Sequence, residues 1–256
     1  MDLDLDGKVF LITGGTDGLG AALAERLVAE RARVVACGRD QSRVAAMNAR
    51  FGELGGDSLA IVADVTRRGD LEQMVGTAVD RWGKIDGVVN NAGAAAAAKF
   101  ETISDDQWVA DMDLKVMAAV RLTELALPYL RADGGAVVNV LSIAAKSPGA
   151  RSLPSAASRA TGMAITKALS QELGPDGIRV NAVLIGLIES GQWTRRAEAA
   201  EKPVEELYEG MATLIPLGRV GRGDEFADLV TYLLSQRASY VTGCAINLDG
   251  GMSPVV

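Results

Sequence analysis

Between a short apolar run, Val9-Phe10-Leu11-Ile12, and a stretch with apolar residues at helical spacing, Ala21 to Ala29, lies Thr13-Gly14-Gly15-Thr16-Asp17-Gly18-Leu19-Gly20. Its glycines do separate jobs. Gly14 permits a tight turn, Gly18 lets backbone approach a ligand closely, and Gly20 lets a helix pack against a strand. The helix that begins here aims its unpaired amides at whatever the turn holds, and a pyrophosphate suits that cradle. A glycine trio alone is a weak signal, but one that follows a strand and opens a helix marks a dinucleotide site. An NAD site carries an acidic residue about 20 positions further on, to hold the ribose 2′-OH. At the end of the next strand this chain has Cys37-Gly38-Arg39-Asp40. Arg39 offers a planar fork to a 2′-phosphate, so the residues favour NADP(H). NAD(H) is the alternative, through Asp40.

Composition removes much other chemistry. The chain has no histidine, which excludes Ser-His-Asp hydrolysis, Cys-His proteolysis and His-ligated zinc. Cys37 and Cys244 are too few for a cysteine metal site and far apart, so neither a metal nor a disulfide is expected. With 26 basic against 33 acidic residues, the formal charge of −7 gives no basic face for nucleic acid. No apolar run reaches the roughly 18 residues of a membrane span. The start, Met1-Asp2-Leu3-Asp4-Leu5-Asp6, is unlike a signal peptide, so a cytoplasmic location is expected.

The elements that must position the turn alternate along 256 residues. Strands are expected at Val9–Ile12, Arg33–Cys37, Leu59–Ala63, Gly87–Asn90, Gly135–Leu141, Ile178–Leu184 and Ala245–Leu248. Helices are expected at Ala21–Ala29, Ser42–Phe51, Leu71–Trp82, Asp105–Arg131 with a bend at Pro128, Ser155–Leu173 and Asp224–Leu234. Continuous apolar strands alternating with helices predict an α/β, Rossmann-like, doubly wound parallel sheet covered by helices on both faces. No linker divides the chain, so residues 1–256 form a single domain, with a substrate lid expected at about 188–217 where the rhythm breaks. Leu187 and Trp193 there could line an apolar pocket, and Arg195 and Arg196 could draw an anionic group.

The glycine turn resembles the TGxxxGxG motif of the short-chain dehydrogenase/reductase family. Asn90-Asn91-Ala92-Gly93 is similar to its NNAG, Asp64-Val65 to its adenine contact, and Arg179-Val180-Asn181-Ala182-Val183 to its RVNxV. Ile185-Gly186 through Ile188 to Ser190 occupies its PGxxxT stretch, and Tyr240-Val241-Thr242-Gly243 to Asp249-Gly250-Gly251 resembles its ending. The resemblance covers nearly the whole chain. It implies a dinucleotide held by Gly14, Thr16, Asp17, Gly18, Leu19, Gly20, Arg39, Asp64, Val65, Asn91, Ala92, Gly93, Arg159, Gly186, Ile188 and Ser190.

The resemblance breaks at the catalytic group, which in the family is an Asn, a Ser and a Tyr-x-x-x-Lys pair. Ser142 matches the Ser. The Tyr position falls on Ser155, the Lys position on Arg159, and the Asn position on Asp113. An alkyl hydroxyl is a far weaker acid than a phenol of pKa about 10. Arg159 stays protonated and can hold a ribose hydroxyl without shuttling a proton. An ion pair between Asp113 and Arg159 beneath the site is one arrangement; Asp113 in solvent is the other. Lys146 and Tyr208 are the candidates to replace the phenol; Lys167, roughly 12 Å along the helix from Arg159, is too far. The expected function is an NADP(H)-dependent oxidoreductase acting on a carbonyl, hydroxyl or related small molecule. The alternatives are a non-redox lyase or isomerase and a dinucleotide-binding pseudoenzyme. The resemblance also implies a homo-oligomer, a tetramer or a dimer.

Overall fold

Strands made of unbroken aliphatic residues need cover on both faces. In the computed structural model, which describes residues 2–256, the central strands are covered in this way and the two edge strands only in part. Seven strands run parallel: β1 (Val9–Thr13), β2 (Arg33–Gly38), β3 (Leu59–Val62), β4 (Gly87–Asn90), β5 (Gly135–Ser142), β6 (Ile178–Ile185) and β7 (Ala245–Leu248). Their order is β3-β2-β1-β4-β5-β6-β7, so the winding reverses between β1 and β4. A crevice opens beyond the carboxyl ends of the strands at such a reversal, which is where this topology binds ligands.

Alternation along β1 sorts the core. Phe10 and Ile12 point to one face, against α1 (Gly18–Ala29), α2 (Gln41–Glu53) and α9 (Gly223–Leu234). Val9 and Leu11 point to the other, against α3 (Arg68–Trp82) and α5 (Ala118–Asp133). On that second face α6 (Ser155–Glu172) packs against β5 and β6. The lid stretch holds two short helices, α7 (Gly191–Ala199) and α8 (Val204–Ala212).

The expected strands and helices agree with these to within a few residues, save one. The long helix over 105–131 is three pieces: α4 (Asp105–Met112), a π-helical turn (Asp113–Met117), and α5. Pro128 sits inside α5 without ending it. Single π-helical turns recur at functional sites, where one extra residue re-aims the side chains around it. No helix among the described residues is long and apolar enough to cross a membrane.

Candidate active site

The glycine turn leaves the carboxyl end of β1 and enters α1. Gly14 and Gly18 have φ of +64° and +52°, the left-handed region that glycine adopts without strain. A Cβ on Gly20 would stand 2.2 Å from the Gly14 carbonyl oxygen, so the helix closes on its own turn only because that side chain is missing. Asn91 fixes the turn from β4: its side-chain amide donates to the carbonyls of Thr13 (2.9 Å) and Gly14 (3.2 Å). Thr13 Oγ1 accepts from the amides of Asn91 and Ala92. Asp17 caps α1 through the Gly18 amide, and helix geometry leaves the other first-turn amides without intrahelical acceptors. A bare, braced turn at a helix N-terminus fits a pyrophosphate.

The turn is also tied outward. The Asp17 carboxylate accepts from Arg43 of α2 (2.7 Å) and from Arg195 of α7 (2.9 Å). Ser190 stands at the start of α7 and lies against Gly18. Gly186 packs on Asp249, and Ile188 bridges to Gly221.

At the end of β2 the sequence reading is sharpened. Cys37 is buried, and that burial pushes its thiol up to about 11. Gly38 has no room for a side chain, since a Cβ would meet Thr16 Oγ1 at 2.1 Å. Asp40 caps α2, accepting from the Ser42 amide and hydroxyl and from the Arg43 amide. Arg39 is exposed, and its charge helps hold the Asp64 carboxyl below its ordinary range. Asp64 turns its carboxylate onto the amide and hydroxyl of Thr66, and Val65 beside it is buried.

Ser142, Ser155 and Arg159 lie on β5 and α6, across the crevice. Ser142 ends β5, its hydroxyl accepting from the Ala144 amide at 3.3 Å. Arg159 donates to the Val140 carbonyl at 2.6 Å and runs up against Gly93, where a Cβ would come within 2.6 Å of its guanidinium. Burial pushes that guanidinium down to about 10, still a cation at neutral pH. Ser155 Oγ accepts from the Ala96 amide at 3.2 Å.

The unexpected neighbour is Lys115. Its ammonium, from the π-helical turn, donates to Ser155 Oγ at 2.7 Å and to Asp111 Oδ1. Lys115 is 6 % and Asp111 5 % exposed. Burial pushes the Lys115 ammonium below its ordinary range, while the bond to Asp111 pulls it back up and Arg159 opposes that pull. Removing one partner of such a buried pair costs about 3–5 kcal/mol. A cavity of about 20 Å³, room for one water, lies against Lys115, Asn90 and Asn139, and Asn90 Oδ1 is buried without a hydrogen-bond partner.

The expected pair between Asp113 and Arg159 is corrected. Asp113 lies on the outer side of the π-helical turn and pairs with Arg121 at 2.8 Å, while Asp111, two residues earlier, is the carboxylate facing Arg159. Lys146 is likewise spoken for, donating to the Ala245 carbonyl and Asn247 Oδ1 on β7. Tyr208 lies on α8, within the stretch expected to form a lid, and burial pushes its phenol up.

Comparison with known proteins extends this geometry. A family model described as enoyl-(acyl carrier protein) reductase matches residues 14–253. The chain is 34 % identical to the 3-oxoacyl-[acyl-carrier-protein] reductase of Thermotoga maritima, over 97 % of this chain and 98 % of that one. It superposes on L-sorbose reductase from Gluconobacter frateurii, solved with NADPH and L-sorbose, with a TM-score of 0.95, 31 % identity and 100 % of both chains covered. A Pseudomonas aeruginosa PAO1 short chain oxidoreductase, described as containing an atypical catalytic center, superposes with a TM-score of 0.93 and 32 % identity, over 99 % of this chain and 100 % of that one. An NADPH-bound structure under that description gives 0.92 and 32 %, over 98 % and 99 %.

Proposed function

Because the chain belongs to the short-chain dehydrogenase/reductase family, we propose that it is an NADP(H)-dependent oxidoreductase that interconverts a carbonyl and a hydroxyl on a small molecule, with Lys115 and Ser155 in place of the family's phenol. The observation that carries this is the 2.7 Å bond between Lys115 Nζ and Ser155 Oγ. A serine alone is too weak an acid for the work. A lysine ammonium has an ordinary pKa of about 10.4, close to the phenol's 10, and burial makes this one more acidic still.

A nicotinamide held in this crevice would supply or take the hydride. In the reductive direction Ser155 Oγ gives its proton to the substrate oxygen, Lys115 Nζ returns one to Ser155, and water reprotonates Lys115. The Ser142 hydroxyl polarises the same oxygen. Arg159 holds the nicotinamide ribose and adds a fixed positive charge where negative charge develops. Arg39 reads the 2′-phosphate, a reading supported by Asp40 being occupied as a cap and by the NADPH bound in the Gluconobacter and Pseudomonas relatives. The glycine turn, Asp64-Val65 and Asn91-Ala92-Gly93 hold the rest of the dinucleotide, while Gly186, Ile188 and Ser190 carry the lid across it. The description of the Pseudomonas relative's catalytic center as atypical is in keeping with a departure from the usual group here.

We also infer a homo-oligomer, supported by an apolar groove of about 500 Å³ on α4 and the π-helical turn, lined by Trp108, Val109, Met112 and Met117. Val109 and Met117 are 67 % and 41 % exposed there. Light scattering behind a sizing column tests it. Two unpaired cysteines suit a reducing cytoplasm.

The functional test is NADPH consumption with a panel of ketones, hydroxyketones, quinones and imines. Turnover lost in K115M and S155A supports the reading. Tight NADPH binding without turnover on any of them, joined by carbonyl reduction in S155Y/R159K, would show a scaffold arranged for hydride transfer whose own residues no longer perform it.

A further inference from the structure

Every residue of α4 except one is exposed or partly exposed, and the buried one is Asp111. A surface helix normally buries apolar residues; this one buries a carboxylate. Both of its oxygens are engaged. Oδ1 accepts from Lys115, and Oδ2 accepts from Ser158 Oγ at 2.7 Å. Ser158 is itself 1 % exposed, and its hydroxyl also leans on the Ser155 carbonyl at 3.0 Å. Ser158 therefore joins the carboxylate to the same turn of α6 that carries Ser155 and Arg159.

The charges explain why a carboxylate stands here. Lys115 is buried and Arg159 half-buried, and the two cations repel each other. The charged groups facing Lys115 are Asp111 from α4 and Arg159 from α6. Asn90 of β4 and Asn139 of β5, which border it on the sheet side, are neutral. Asp111 is the one counter-charge between the two cations.

We propose that Asp111 is a positioning residue, clamped by Ser158, that keeps the Lys115 ammonium charged and aimed at Ser155. The proposal rests on the reading of Lys115 as proton source given above. A carboxylate within hydrogen-bond reach holds an ammonium pKa up by about 1–3 units. Without it, burial and Arg159 drive Lys115 toward its neutral form, and a neutral amine at this place has no proton to return to Ser155.

The test compares wild type with Asp111→Asn. Lysine labelled at Nζ is titrated by NMR, with the Lys115 signal identified by its loss in Lys115→Gln. In D111N the Lys115 titration is expected to fall by about 1–3 units. The basic limb of kcat/KM for reduction is expected to move with it, leaving NADPH affinity within about twofold and activity recovering at lower pH. A purely structural role would depress activity at every pH and leave the limb in place. An unmoved Lys115 titration in folded D111N overturns the proposal. If wild type consumes no NADPH with any carbonyl, the proton-source reading fails, and the NMR titration still decides whether Asp111 governs the ammonium. Should D111N not fold, D111N/K115Q is expected to fold, because it removes the orphaned charge as well. A double variant that is also unfolded overturns the proposal by giving Asp111 a structural role of its own.

Discussion

Lys115 Nζ lies 2.7 Å from Ser155 Oγ, joining the π-helical turn after α4 to the first turn of α6. An ammonium and an alkyl hydroxyl are both poor acids in water. Here the ammonium is buried and donates to the hydroxyl, which also accepts from the Ala96 amide.

Replacing Lys115 by Met should lower kcat for carbonyl reduction about 10²–10⁴-fold, the usual worth of a positioned acid. NADPH affinity should change little, since the side chain contacts α4 and α6 rather than the glycine turn. Steady-state rates beside a fluorescence titration of NADPH check both halves. Unchanged turnover in K115M would remove Lys115 from the mechanism.

Replacing Arg39 by Ala should weaken NADPH about 10- to 100-fold, the value of one charge-assisted contact of about 1.5–3 kcal/mol. NADH, which lacks the 2′-phosphate, should bind as before. Calorimetry with the two coenzymes measures the contrast, and equal losses for both would mean that Arg39 does not read the phosphate.

Gly20→Ala should be severe for so small a change. Its methyl would meet the Gly14 carbonyl at 2.2 Å, and the obstacle is backbone rather than a movable side chain. Overpacking of this kind costs about 1–3 kcal/mol. Thermal melting should shift down, and NADPH binding should fall with it because the turn that must yield is the cradle itself.

The acid limb of stability has one local contributor at the mouth of α9. Two bonds from Arg219, at 2.6 and 2.8 Å, together with the Arg222 amide, hold the Glu225 carboxyl down to about 2. A folded pKa below the unfolded value of about 4.3 stabilises above that value and loses its effect as pH falls toward 2. Glu225→Gln should therefore destabilise by roughly 0.2–1 kcal/mol at neutral pH, the range of a surface pair. Denaturant melts at pH 7 and near pH 2 should differ between variant and parent only in the former.

The stripe 111, 115, 118, 122, 126, 130 shows how far sequence reading reached. Ala118, Leu122, Ala126 and Leu130 repeat at helical spacing and are all buried, and Asp111 and Lys115 continue the same stripe. Two opposite charges at core positions, i and i+4, were thus visible as an anomaly. Taken as an ordinary surface pair they pass unnoticed, and Asp113, which pairs with Arg121 outside, draws attention instead. The glycine turn needed no such search, because its function depends on residues adjacent in sequence.

By itself the sequence determined the alternation of strands and helices, the parallel sheet, the glycine turn after β1, and the identity of Ser155 and Arg159 on α6. Each of these follows from local pattern: apolar period, glycine placement, residue identity at one position. What only the tertiary structure decided is which charges share one buried space. Lys115 and Ser155 are 40 residues apart, and whether they meet depends on the register of a π-helical turn against α6. Lys146 is held by β7, about a hundred residues away, a partner that packing alone supplies, and Asp113 pairs with Arg121 across the π-helical turn. Desolvation then set the chemistry, because an ammonium changes its acidity only once the fold has removed the water around it.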